Sequence, residues 1–121
     1  MPITDYYYIC YTKYRKVSQL KNTIKELSNQ IFQDIVGLRR HLHQNPELSF
    51  NEYKTSVRIA EELKRIGIPT FTETGGNGVI GLVKGSTPGK TIGIRAELDA
   101  LPIQENTGLP YSSKNPGLMH A

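Results

Sequence analysis

The sequence has little from which a disulfide framework or a membrane span could be built. Only one of its 121 residues, Cys10, is a cysteine, and there is no tryptophan. A single cysteine excludes an internal disulfide and a cysteine-rich zinc ribbon, and it is typical of a reducing compartment. No stretch approaches the roughly 20 apolar residues of a membrane span, and the start lacks the apolar run of a signal peptide. These absences predict a soluble, cytoplasmic protein that does not bind membranes.

Charge is also scarce in the body of the chain. The net charge is +4, but four of the fifteen basic residues lie at or before Lys21, where Asp5 is the only acid. The remainder is nearly neutral, so it lacks the clustered basic surface with which proteins bind phosphate backbones. The composition therefore disfavours a nucleic-acid-binding protein.

Residues 1–19 differ from the rest, because five of the seven tyrosines fall within the first fourteen residues. We expect this segment to be a disordered N-terminal extension. The alternative is an aromatic and basic arm that stacks on single-stranded nucleic acid or binds a partner. Residues 20–121 are then the folded portion of the chain.

A periodic run of apolar residues predicts a long first helix. From residue 20 to residue 42 these residues recur at steps of three and four, which places them on one helical face. This helix should end near His43, just before an Asn-Pro step. A capping-box pattern, Ser49 followed by Glu52, predicts a second helix that ends at Gly67, a residue suited to a left-handed C-terminal position.

After the second helix the pattern changes to that of strands, at residues 70–72, 79–84 and 91–97. A Thr-Pro-Gly turn at 87–89 predicts that the last two strands form a hairpin. Two helices followed by about three strands make an α/β unit, but so small a sheet leaves an unpaired edge. The sequence therefore predicts an incomplete α/β domain.

Two glycine-rich stretches resemble phosphate-binding loops but lie in the wrong context. Gly76, Gly78 and Gly81 match a G-x-G-x-x-G pattern, yet a strand follows them where a helix N-terminus would be needed to hold a pyrophosphate. The stretch 85–91 has one residue too few between its glycines for a phosphate loop, and a strand follows it as well. We predict a hairpin turn there and no nucleotide site.

Glu97 and Asp99 are the candidate functional pair. They stand two residues apart after an apolar strand, so both carboxylates should project from the same face. Ligand sites gather at such strand ends, and two close carboxylates favour a cation. A solvated pair neutralised by Arg95 is the alternative. His41 and His43 point to nearly opposite sides of a helix, so we interpret them as structural and not as joint metal ligands.

Two stretches of the sequence resemble a known family, RRHLHQNPELSFNEYKTS at 39–56 and IRAELDALPIQENTGLPYSSKNPGLMHA at 94–121. They are similar to the amidohydrolase branch of the aminoacylase-related metallopeptidases, which includes hippurate hydrolases, N-acyl-amino-acid amidohydrolases and plant auxin-conjugate hydrolases. The resemblance covers residues 20–121. It implies the N-terminal portion of a catalytic domain, truncated before the Cys-Gly-His-Asp segment that carries metal ligands in this family.

The resemblance further implies what a complete protein would do. It would bind two divalent metal ions of the zinc or manganese type and hydrolyse the amide bond of a small N-acyl amino acid. A homodimer is a further expectation for the full-length form. By the same match Asp99 is expected to orient a metal ligand, and Glu97 is a weaker candidate because the family usually has Asp there. His120 matches a residue that lies beside the ligands but is not one of them.

The chain of 121 residues is itself expected to be inactive and to bind no metal tightly, since at most two adjacent carboxylates are available. The alternative to an enzyme is a small binding module, or a pseudogene product, with the Tyr-rich basic segment as its arm.

Overall fold

The structure, a computed structural model, describes the backbone of residues 3–120 and the side chains of residues 17–120. Two helices, α1 (Ile3–Gln44) and α2 (Tyr53–Arg65), precede two strands, β1 (Thr70–Thr74) and β2 (Gly78–Gly81). The chain divides into two compact units, residues 1–39 and residues 40–121. Over the described residues, no helix is long and apolar enough to cross a membrane.

Helix α1 extends further in the N-terminal direction than its apolar pattern predicted. It begins at Ile3, not near residue 20, and ends at Gln44, next to the predicted end at His43. In the first unit the predicted apolar face stays about half exposed, with accessible fractions of 54–61% at Leu20, Ile24, Leu27, Ile31 and Ile35. The side chains of residues 1–16 lie outside the described part, so both the predicted disorder and the proposed Tyr-rich arm stay predictions.

Helix α2 forms where it was predicted, but its start is held by a different residue. Glu52, the residue before the helix, makes no side-chain cap, and the Ser49 hydroxyl donates to the Asp99 carboxylate instead. The carboxylate of Glu47 is the acceptor at the helix start. The amide N–H and the hydroxyl of Thr55 both donate to its Oε2 atom, each at 2.8 Å. The predicted capping box is therefore wrong, because a carboxylate from upstream folds back over the first turn.

The end of α2 matches its prediction. Gly67 has a φ of 78°, in the left-handed region that favours glycine. Its N–H donates to the Lys64 carbonyl at 3.0 Å, and the N–H of Ile68 donates to the Leu63 carbonyl at 2.9 Å. This pair of bonds is a Schellman motif, and it turns the chain from α2 into β1.

The hairpin of the structure lies one strand earlier than predicted. Strands β1 and β2 pair antiparallel, with Thr70 opposite Gly81 and Phe71 opposite Ile80. Helix α2 packs closely on this hairpin, since a Cβ placed at Gly81 would lie 3.3 Å from the Leu63 side chain. The α/β class is thus confirmed, with two helices and two antiparallel strands.

The predicted third strand, residues 91–97, is not a strand in the structure. Its side chains Ile92 and Ile94 are 86% and 94% exposed. No strand within the described residues pairs with this segment. Its backbone is therefore not part of a sheet, and its alternating apolar side chains are not buried in a core. The predicted hairpin across the turn at 87–89 is therefore wrong, although the turn residues suit one.

The rest of the second unit is joined by isolated backbone bridges. Leu48 bridges Ala100 in parallel, and the Ala100 N–H donates to the Glu47 carbonyl at 2.8 Å. Leu101 bridges Met119 antiparallel through two N–H···O bonds of 2.9 and 3.0 Å. Ala100 is only 2% exposed. These bridges bring the segments around residues 47, 100 and 119 together, and Asp99 and His120 lie beside them.

Candidate functional site

Asp99 precedes Ala100, the buried residue that bridges Leu48, and its carboxylate is held by a hydroxyl group. The Ser49 hydroxyl donates to its Oδ2 atom, and this bond is the main reason why the pKa of Asp99 is lowered from its ordinary 3.8. A bond from its own backbone and the charges of His120 and Arg95 act in the same direction, against a smaller effect of burial. Asp99 is therefore an ionised, oriented carboxylate at neutral pH.

Glu97 lines the same cleft as Asp99 but is engaged differently. The cleft has a volume of about 670 Å³ and lies between the start of α2, the turn of the hairpin and residues 94–99. Within it, the Glu97 carboxylate lies 3.0 Å from the Arg95 guanidinium, and both side chains are mostly exposed. Both residues line this cleft, and the exposed contact of Glu97 with Arg95 corresponds to the alternative of a solvated, neutralised carboxylate.

His120 lies beside Asp99, which sequence spacing did not predict. Burial lowers the pKa of its imidazole from 6.5, the nearby His43 adds to this, and the charge and the backbone of Asp99 oppose it. Its Nε2 atom is buried and has no hydrogen-bond partner within the described residues. A neutral imidazole with an unused nitrogen thus adjoins an ionised carboxylate.

A second pair, which sequence reasoning missed, joins α1 to the turn-rich end of the chain. His43 Nε2 lies 3.1 Å from Glu105 Oε1, and both residues are 9% exposed. Glu105 also accepts the Ser113 N–H at 2.6 Å and the Thr107 hydroxyl. These two bonds, followed by that from His43, lower the pKa of Glu105 to about 2 despite its burial.

As their spacing predicted, the two histidines of α1 do not come together. His43 is buried against Glu105, whereas His41 is exposed. Glu105 itself gave no signal in the sequence, because it stands in a polar, turn-rich stretch without helical or strand periodicity. Only the fold reveals it, since its partner on α1 lies 62 residues away.

The described residues do not form a complete metal site. Among residues 17–120, no group of three or more His, Cys, Asp or Glu side chains converges in a way that could hold a metal ion. Asp99 and His120 interact with one another, but they are only two such side chains.

Comparison with known proteins finds relatives of the chain. No protein-family model matches the chain. The chain is 46% identical over 105 residues to YhaA of Bacillus subtilis, named as an amidohydrolase candidate, covering 87% of this chain and 26% of YhaA. It is 43% identical over 101 residues to the N-acyl-L-amino acid amidohydrolase of Geobacillus stearothermophilus, covering 84% of this chain and 27% of that protein.

A solved structure agrees with the sequence matches. The fold resembles that of the Bacillus subtilis YXEP protein, described as a dinuclear metal-binding peptidase of the M20 family, with a TM-score of 0.72 and 42% identity. The match covers 76% of this chain and 26% of that protein. Sequence and fold together identify the chain as a homologue of the amidohydrolases and M20 peptidases. It spans about a quarter of the length of the curated relatives that it matches.

Proposed function

We propose that the protein represented by this chain hydrolyses the amide bond of N-acyl amino acids in a reaction that depends on divalent metal ions. The observation that carries this proposal is the 43–46% identity to proteins named as amidohydrolases, over 84–87% of this chain. The family resemblance of residues 94–121 supports zinc or manganese as the metal and a homodimer as the full-length form. A cytoplasmic location is part of the same proposal.

Within that function, this chain supplies a carboxylate that orients its neighbours. Asp99 is fixed by the Ser49 hydroxyl and keeps its negative charge beside the neutral imidazole of His120. By the family resemblance, the group that Asp99 would orient is a metal ligand other than His120, and a carboxylate in that place fixes the orientation and raises the basicity of the ligand. We assign this role to Asp99. Glu97 is less suited to it, since Arg95 already holds its carboxylate.

The test uses a chimera in which this chain replaces the matching segment of the Geobacillus amidohydrolase. Asp99→Asn keeps the shape of the side chain and removes its charge. We expect activity toward N-acyl amino acids, or metal affinity, to fall by about 10–100-fold with little change in thermal midpoint, as for other groups that orient a metal ligand. The comparison needs kinetics at saturating metal and a metal titration.

The matched control is Glu62→Gln, which makes the same carboxylate-to-amide change in a half-buried side chain that pairs with Arg58 and Arg65 on α2. It should leave activity unchanged. Full turnover of Asp99→Asn, or an equal loss in both variants, would show that Asp99 has no special role. A chimera that folds, binds metal and hydrolyses no N-acyl amino acid would contradict the proposed function itself.

A further inference from the structure

The buried pair of His43 and Glu105 makes more connections than an ion pair that only stabilises a fold needs. The Glu105 carboxylate accepts from three donors, one each from His43, Thr107 and Ser113. Thr107 is in turn within 3.1 Å of the Ser112 hydroxyl. One carboxylate thereby fixes the conformation of residues 105–113 and attaches that segment to the end of α1.

Aromatic contacts hold the same segment from the other side. The ring of Tyr111 meets His43 edge-on at a centroid distance of 6.0 Å and an interplanar angle of 78°. The Arg40 guanidinium lies over the Tyr111 ring, 4.7 Å from its centroid. A cation over an aromatic face and a T-shaped ring pair are both favourable geometries. The imidazole of His43 therefore has a defined orientation.

We call His43 and Glu105, together with the residues that contact them (Thr107, Tyr111 and Ser113), the clamp. From the clamp the chain continues toward the candidate site. The Lys114 N–H donates to the Gln44 carbonyl at 2.9 Å, and the Asn115 side chain donates to the Pro46 carbonyl at 2.8 Å. Four residues later Met119 bridges Leu101. The Leu118 N–H donates to the Asn115 carbonyl at 3.1 Å, so a short turn joins the contacts with the end of α1 to the bridge at Met119.

We infer that His43 and Glu105 are positioning residues for the proposed reaction, which hold the segment carrying His120 against the backbone and carboxylate of Asp99. This rests on the proposed function, and it assigns to the pair a role beyond stability. The two residues act at a distance, because neither touches the cleft that Asp99 lines.

The first arm of the test needs neither metal nor substrate. In the 121-residue chain labelled for NMR, Glu105→Gln should shift the amide signals of Ala100 and Met119 and the ring signals of His120. Ser56→Ala is the control, since it removes a hydroxyl bond from α2 to the Asn77 carbonyl and leaves the clamp intact. Signals of Ala100, Met119 and His120 that stay in place in a folded Glu105→Gln chain would overturn the inference.

The second arm measures hydrolysis in the chimera. Glu105→Gln and His43→Leu should lower kcat by about 10-fold or more with KM nearly unchanged, because neither residue meets the substrate. His43→Gln, whose amide nitrogen can reach Glu105, should recover part of that loss. Ser56→Ala should lower the thermal midpoint without changing kcat. Equal kcat in His43→Leu, His43→Gln and the parent would limit the pair to a structural role.

A milder variant covers the case in which Glu105→Gln does not fold. Thr107→Val removes one bond to Glu105 and leaves His43 in place, so its effects on the His120 signals and on kcat should be smaller but in the same direction. Failure of even Thr107→Val to fold would make the clamp purely structural and would refute the inference. If the parent chimera is inactive while the NMR shifts occur, the proposed function fails and the positioning of His120 stands.

Discussion

Replacing Thr55 by valine tests which residue holds the start of α2. The change keeps the shape of a side chain that is only 4% exposed and removes its 2.8 Å hydroxyl bond to the Glu47 carboxylate. The Thr55 N–H bond to the same carboxylate, also 2.8 Å, is retained. Glu47 therefore loses one donor at the helix start, and the perturbation is confined to a single contact.

The expected loss follows from that contact. A hydrogen bond to a charged group contributes about 1.5–3 kcal/mol. The methyl group that replaces the hydroxyl is buried and returns about 0.8 kcal/mol. The net cost is about 1–2 kcal/mol, and each kcal/mol lowers the thermal midpoint of a domain of 60–100 residues by about 4–8 °C. The Thr55→Val chain should therefore unfold at least several degrees below the parent.

Ser49→Ala is the variant with which Thr55→Val is compared. If the capping box predicted from the sequence held the helix, this change would cost about 0.5–2 kcal/mol, and Thr55→Val would cost little. In the structure the Ser49 hydroxyl donates to the exposed Asp99 carboxylate and not to α2, so Ser49→Ala should lower the midpoint less than Thr55→Val does. Thermal unfolding followed by circular dichroism measures both. A larger loss in Ser49→Ala than in Thr55→Val would refute the assignment of Glu47.

Three further outcomes are expected. Because the folded pKa of Glu105, about 2, lies below its ordinary 4.5, the unfolded chain binds this proton more readily. Its contribution to stability is therefore complete above about pH 4.5 and is lost as the pH falls toward 2, and urea midpoints should show a flatter acid limb in Glu105→Gln. Gly67→Ala should cost about 1 kcal/mol through its φ of 78°, while Gly89→Ala, equally free of contacts but without a positive φ, should not. Calorimetry of the chain with Zn²⁺ or Mn²⁺ should show only weak binding, and tight, stoichiometric binding that Asp99→Ala abolishes would contradict this.

The helices could be predicted because their signals are local. The end of α1 follows from an Asn-Pro step, and the end of α2 from Gly67 in its left-handed position. The sheet was harder, since alternation in residues 91–97 shows only that a strand would suit them. A strand also requires a neighbour, and nothing in the local pattern says whether residues 78–81 pair forward with this segment or backward with residues 70–74.

The residues of the candidate site also divide into those that a local pattern can predict and those that it cannot. The pair of Glu97 and Asp99 could be singled out because two carboxylates at the end of an apolar segment form a local pattern, and the choice of Asp99 rests on the family resemblance. The adjoining Arg95 already suggested how Glu97 would be neutralised. Glu105 and the adjacency of His120 to Asp99 could not be found, because each depends on a contact between distant segments. Ser49 was assigned to a helix cap for the same reason. Its spacing to Glu52 is typical of a helix start, and nothing local shows that its partner lies 50 residues away.

The His43 to Glu105 bond also determines when the second unit becomes fully ordered. Its two residues are separated by 62 positions, so the intervening chain must be closed into a loop before the bond can form. We predict that this contact forms after the transition state for folding, once the local helices and the hairpin exist, because closing so long a loop is costly in entropy. Weakening such a contact accelerates unfolding and leaves the folding rate almost unchanged. The lifetime of the native state, more than the speed at which it is reached, therefore depends on this one carboxylate.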